Sequence, residues 1–80
     1  MKRDNVYIIR FAVRTDNKGN YNEVKETLEM LAEGLGEKEG FNFNERKFKT
    51  HNKRSHLTFL DKCYEFLEMD WIFEVTVQSF

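Results

Sequence analysis

Val6-Tyr7-Ile8-Ile9-Arg10-Phe11-Ala12-Val13-Arg14 is the stretch on which the fold turns. It is rich in β-branched and aromatic residues, which favour a pleated, half-buried strand. Side chains alternate across a strand, so Tyr7, Ile9, Phe11 and Val13 share one face, and Val6, Ile8, Arg10, Ala12 and Arg14 share the other. The first set is wholly apolar and is assigned to the core. Trp71-Ile72-Phe73-Glu74-Val75-Thr76-Val77-Gln78, near the end of the chain, reads the same way. There Trp71, Phe73, Val75 and Val77 are expected inside, with Ile72, Glu74, Thr76 and Gln78 outside. Two strands of this kind describe a sheet covered on one side only.

Two helical patterns lie between them. Tyr21, Val24, Leu28, Leu31 and Leu35 recur at helical spacing. Asn20 is the expected N-cap, with Glu23 completing a capping box, and Gly34 and Gly36 mark the end. Ser55 is expected to cap a second helix running to about Met69. Leu60, Cys63, Tyr64 and Leu67 centre its apolar face, widened by Phe59 and Phe66. The stretch between the helices reads as a hairpin of Phe41-Asn42-Phe43 and Phe48-Lys49-Thr50, with Phe43 opposite Phe48. The order strand, helix, strand, strand, helix, strand predicts one α+β domain over residues 1–80. Its architecture is the ferredoxin-like βαββαβ arrangement, a four-stranded antiparallel sheet with two helices on one face.

A chain of 80 residues buries only about 60–65% of its unfolded surface, so its core is thin. Its single cysteine, Cys63, allows no internal disulfide and frames no zinc site. Eight Phe, three Tyr and one Trp must therefore supply the buried area. A lone cysteine suits a reducing compartment. No apolar run approaches the ~20 residues that span a bilayer. Met1-Lys2-Arg3-Asp4 leads into the first strand without a signal-peptide core. A cytoplasmic location without membrane contact is the resulting expectation.

The formal net charge is −1, but charge comes in blocks. The first helix carries Glu23, Glu26, Glu29 and Glu33, and the second carries Asp61, Glu65 and Glu68. Arg10 and Arg14 lie on the first strand. Arg46, Lys47, Lys49, Lys53 and Arg54 crowd the hairpin and the loop after it. The expected domain has a negative helical layer and a positive sheet side, a pattern that steers partner encounter.

Sites of chemistry are sparse. His51 and His56 share neither a strand face nor a helical turn, and a zinc site wants three or four converging ligands. Cys63 falls on an apolar helix face, where a thiol behaves as a small hydrophobe. The helical carboxylates are exposed, with no pocket to perturb them into an acid–base pair. No catalytic residue, metal site or cofactor is expected. The expected binding residues are Arg10, Arg14, Arg46, Lys47, Lys49, Lys53 and Arg54.

RNA-recognition domains share this strand–helix order. Val6-Tyr7-Ile8-Ile9-Arg10-Phe11 is similar to the shorter of that family's two signatures at three positions, and Gly40-Phe41-Asn42-Phe43 is similar to the middle of the longer one. Glu39, however, stands where a Lys or Arg belongs, and Asn44 where an apolar residue belongs. An RNA-facing aromatic at Tyr7 would also force Arg10 and Arg14 into the core. The chain is not assigned to that family. The leading functional expectation is a non-enzymatic protein-binding domain, resembling the small inhibitors that viruses and mobile elements encode against host proteins. The alternative is nucleic-acid binding through residues 46–54, where basic side chains, an aromatic and asparagines suit phosphate tracking and base stacking. The outer sheet face, with Val6, Ile8, Ala12 and Ile72, is also a candidate homodimer surface.

Overall fold

Ile9, Phe11 and Val13 turn into the core from strand β1 (Tyr7–Val13), while Arg10 and Arg14 stand in solvent, as the alternation requires. The computed structural model describes residues 5–80, and Met1–Asp4, on which the reading of the N-terminus as a non-signal segment rested, lie outside them. After β1 come α1 (Lys18–Gly34), a short 3-10 turn (Lys38–Gly40), β2 (Phe41–Asn42), β3 (Lys47–Thr50), α2 (Lys53–Glu68) and β4 (Ile72–Ser79). The sheet order is β2-β3-β1-β4 with every neighbouring pair antiparallel, and both helices pack on one face. This is the ferredoxin-like α+β fold.

Each helix starts three residues earlier than expected. Asn17 caps α1 by accepting a hydrogen bond from the Asn20 amide (3.0 Å), and Asn52 caps α2 by accepting from the Ser55 amide (3.1 Å). Asn20 and Ser55 are thus the residues whose amides are satisfied, not the caps. Both helices end in a Schellman turn. Gly36 takes the left-handed position after α1 (φ 74°), and Asp70 takes it after α2 (φ 64°). The Gly36 and Glu37 amides close on the carbonyls of Glu33 and Ala32, and the Asp70 and Trp71 amides on those of Leu67 and Phe66. Trp71 then stacks on Phe66 (5.7 Å between centroids), the apolar contact that accompanies this motif.

The core is aromatic. Phe48 and Phe59 stack face to face, 4.0 Å apart and 10° from parallel, with Phe11 and Phe41 packed against Phe59 at 6.3 and 5.8 Å. The buried side of α2 is Ser55, His56, Phe59, Cys63 and Phe66. Cys63 is buried as expected, but the rest of the expected centre is displaced. The helix is rotated so that Phe59 and Phe66 point straight at the sheet, Leu60 is half-buried, and Tyr64 and Leu67 are exposed.

Two registers also differ from expectation. In the hairpin Phe41, not Phe43, lies opposite Phe48, and Asn42 lies opposite Lys47. The loop is therefore 43–46, closed by the Arg46 amide on the Phe43 carbonyl (3.0 Å) and by Asn42 Oδ1, which accepts from the Glu45 amide (3.1 Å). In β4, Val75 and Val77 oppose Phe11 and Ile9 on the helix side, but only Val75 is partly buried; Val77, expected inside, is 40% exposed. A bulge then sets Glu74 opposite Ala12 but Ile72 opposite Val13, with Phe73 as the extra residue. Phase inverts across it. Ile72 is fully buried and leaves the outer patch expected of it, while Phe73 is 52% exposed rather than part of the core.

Candidate binding surface

Among the described residues nothing covers the face of the sheet opposite the helices, and the register fixes its layout. Arg10 lies between Lys47 of β3 and Thr76 of β4, Ile8 lies between Lys49 and Gln78, and Val6 exchanges both backbone hydrogen bonds with Phe80 (3.2 and 2.9 Å). Arg10, Lys47 and Lys49 therefore form one cationic cluster on two adjacent strands. Lys47 lies 3.9 Å from Glu45, while among the described residues Arg10 and Lys49 join no ion pair. Like charges directly opposite each other weaken a sheet.

Arg14 marks one end of this face and is already engaged. Its guanidinium donates to the Asp70 carbonyl (3.0 Å) and carboxylate (3.1 Å), and its carbon sits 5.4 Å from the centroid of the Phe73 ring. The bulge is what delivers Phe73 to that side. At the opposite end Phe80 is 69% exposed. Lys53 and Arg54, in the exposed first turn of α2, follow Lys49 through His51 and Asn52.

Arg46 is not on this surface. It is half-buried, with φ 55°, and its guanidinium carbon packs 4.4 Å from the Phe43 ring centroid and 5.4 Å from that of Tyr21. It donates to the Tyr21 hydroxyl (2.9 Å) and to the Phe43 carbonyl. These contacts satisfy the planar donor fork inside the fold, so Arg46 ties the hairpin loop to α1. Of the seven expected residues, the fold gathers Arg10, Lys47 and Lys49, sets Arg14, Lys53 and Arg54 at the margins, and turns Arg46 inward.

The helical layer is acidic by contrast: Glu26, Glu29 and Glu33 of α1 and Asp61, Glu65 and Glu68 of α2 are exposed. Of the two histidines, His51 Nδ1 lies 3.2 Å from the Asn5 carbonyl oxygen, and His56 is buried, stacked 4.8 Å from Tyr7. Burial lowers the His56 pKa and pushes the Cys63 thiol up to about 12. At neutral pH such a thiol stays protonated, whereas the thiolate is the form that attacks or ligates. Among the described residues no group of three or more His, Cys, Asp or Glu side chains could hold a metal ion, and no helix is long and apolar enough to cross a membrane.

Phe73 and Phe80 were missed as surface residues. The run Trp71-Ile72-Phe73 is apolar at every position, so alternation cannot reveal a bulge there; Phe80 carries no pattern at all. Compared with known proteins, the chain matches no family model, no curated protein and no solved structure.

Proposed function

We propose that this chain is a non-enzymatic, cytoplasmic binding domain that docks the open face of its sheet on an acidic protein surface. The observation that supports this is the Arg10–Lys47 pair with Lys49 beside it. Three cations held together on one face of the sheet oppose folding, and an anionic partner removes that penalty. A two-fold contact through the same face would bring two such clusters together, so a different, oppositely charged protein suits it better than a second copy. By covering a partner's surface, a domain of this size acts as an inhibitor without chemistry of its own, in the manner of those encoded by viruses and mobile elements.

A second reading, nucleic-acid binding, is favoured by one feature. Phe73 and Phe80 expose aromatic rings on the cationic side of the sheet, where bases could stack. The experiment that decides is capture from lysate with and without nuclease, alongside an Arg10→Glu/Lys49→Glu double variant. The proposal expects a protein retained after nuclease and lost with the variant. Loss of all bound material on nuclease treatment, with a log–log salt slope of about −3 to −4, favours nucleic acid. Equal capture by the variant removes the sheet face from both readings.

A further inference from the structure

Among the described residues no strand pairs with the outer edge of β4. The opposite edge is the two-residue β2, whereas β4 runs for eight residues with Glu74 as its sole charge and no lysine or proline, the devices that usually blunt an edge. Val6 and Phe80 exchange both of their backbone hydrogen bonds. Antiparallel pairing alternates, so Phe80, Gln78 and Thr76 direct their N–H and C=O groups at β1, and Ser79, Val77 and Val75 direct theirs outward.

Beside this edge runs an apolar helix flank. Leu57, Leu60, Tyr64 and Leu67 follow one another at spacings of three and four along α2. Phe59, on the core side, faces β3 through Phe48, and His56 faces β1 through Tyr7. Continuing round the right-handed helix in that sense carries Leu60, Leu67, Tyr64 and Leu57 past β1 to the β4 side. A shallow depression of about 390 Å³ on this flank is lined by Leu57, Thr58, Leu60, Asp61 and Tyr64, all from α2 itself. Leu57, Tyr64, Leu67 and, on the helix side of β4, Val77 are all exposed.

We propose that two copies of this chain pair antiparallel through β4, joining their sheets into one of eight strands and bringing their α2 flanks together above the joint. The register with its two-fold axis at Thr76 pairs Phe73–Ser79 of one copy with Ser79–Phe73 of the other. Val75 and Val77 then meet the partner copy's Val77 and Val75 as hydrogen-bonded pairs beneath the helix flanks. Thr76 faces Thr76 of the second copy, a favourable cross-strand pair, and Glu74 faces Gln78 rather than another glutamate. Both cationic faces end on the same side of the joined sheet.

The test is sedimentation of the full chain over a concentration series, with Val77→Lys and Ile8→Asp variants, plus oxidation of a Thr76→Cys variant. Thr76 of each copy would sit in a non-hydrogen-bonded pair with Cα atoms about 4.5 Å apart, within reach of a disulfide. The expected result is a dimer that Val77→Lys converts to a monomer with an unchanged circular-dichroism spectrum, that Ile8→Asp leaves intact, and that Thr76→Cys locks covalently. Gln78→Cys, paired across from position 74, should cross-link far more slowly. A monomer at the highest concentration overturns the proposal. So does a dimer that dissociates with Ile8→Asp and survives Val77→Lys, since that dimer uses the open sheet face.

Discussion

Arg10 and Lys47 face each other across β1 and β3 on the uncovered side of the sheet, a like-charge pair at a position where opposite charges stabilise. Arg10→Glu turns the repulsion into an attraction, with Lys49 one diagonal away. The variant should be more stable than the parent by about 0.2–1 kcal/mol, read from urea unfolding at low salt. The same substitution should abolish binding to an acidic partner. Lower stability in Arg10→Glu would mean that the cluster is not strained and that the argument from its cost is unsound.

Phe59 and Phe73 sit on opposite sides of the sheet. Phe59 is fully buried against Phe48, and truncating it to Ala should cost about 3–5 kcal/mol, a large part of the stability of a small domain. Phe73→Ala removes an exposed ring and its contact with Arg14, and should cost no more than about 1 kcal/mol. Chemical denaturation of the two variants side by side checks this. Equal losses would contradict the bulge and the inverted phase of Ile72 and Phe73.

The split between what the sequence reveals and what it hides follows from how local each determinant is. The alternation of Ile9, Phe11 and Val13 against Arg10 and Arg14 is a period-two signal within one strand, and it placed β1 correctly. The hairpin register is a matter of loop closure: a shift of two residues keeps Phe41, Phe43 and Phe48 on the same face, so hydrophobicity cannot tell the alternatives apart. The rotation of α2 is hidden because Leu60, Tyr64 and Leu67 are as apolar as Phe59, Cys63 and Phe66. What distinguishes Phe59 is tertiary: its ring meets Phe48, Phe11 and Phe41, all distant in sequence. At the surface, the blocks of charge located Lys47 and Lys49. No local pattern shows that Arg46 would reach Tyr21, a residue 25 positions away in sequence.

Asp70 occupies the left-handed position that ends α2, where a residue with a Cβ is strained by roughly 1–2 kcal/mol. Its carboxylate offsets part of that strain by pairing with Arg14, an exposed contact worth at most about 1 kcal/mol. Asp70→Gly removes both terms and should leave stability within about 0.5 kcal/mol of the parent. Asp70→Ala keeps the strain, loses the pair, and should be less stable than the glycine variant by about 1 kcal/mol. Thermal unfolding of the two variants separates them. If alanine matched glycine, the left-handed geometry would not be limiting at the end of α2.

His56 gives the domain a pH dependence whose sign follows from its burial. Its Nδ1 is buried with no hydrogen-bond partner among the described residues, its ring stacks on Tyr7, and desolvation lowers its pKa below the ordinary 6.5. Well above pH 6.5 the histidine is neutral in both folded and unfolded chains and contributes no pH dependence. As pH falls through 6.5 the unfolded chain takes up a proton that the folded one refuses. Stability then drops, by at most about 1.4 kcal/mol per pH unit, until the folded pKa is reached. Urea unfolding at intervals from pH 7.5 to 5 should show this decline, and His56→Leu should flatten the part of it just below pH 6.5. An equal slope in the leucine variant would assign the decline to other groups, and a parent that gained stability on acidification would mean that protonated His56 finds an acceptor in the folded chain.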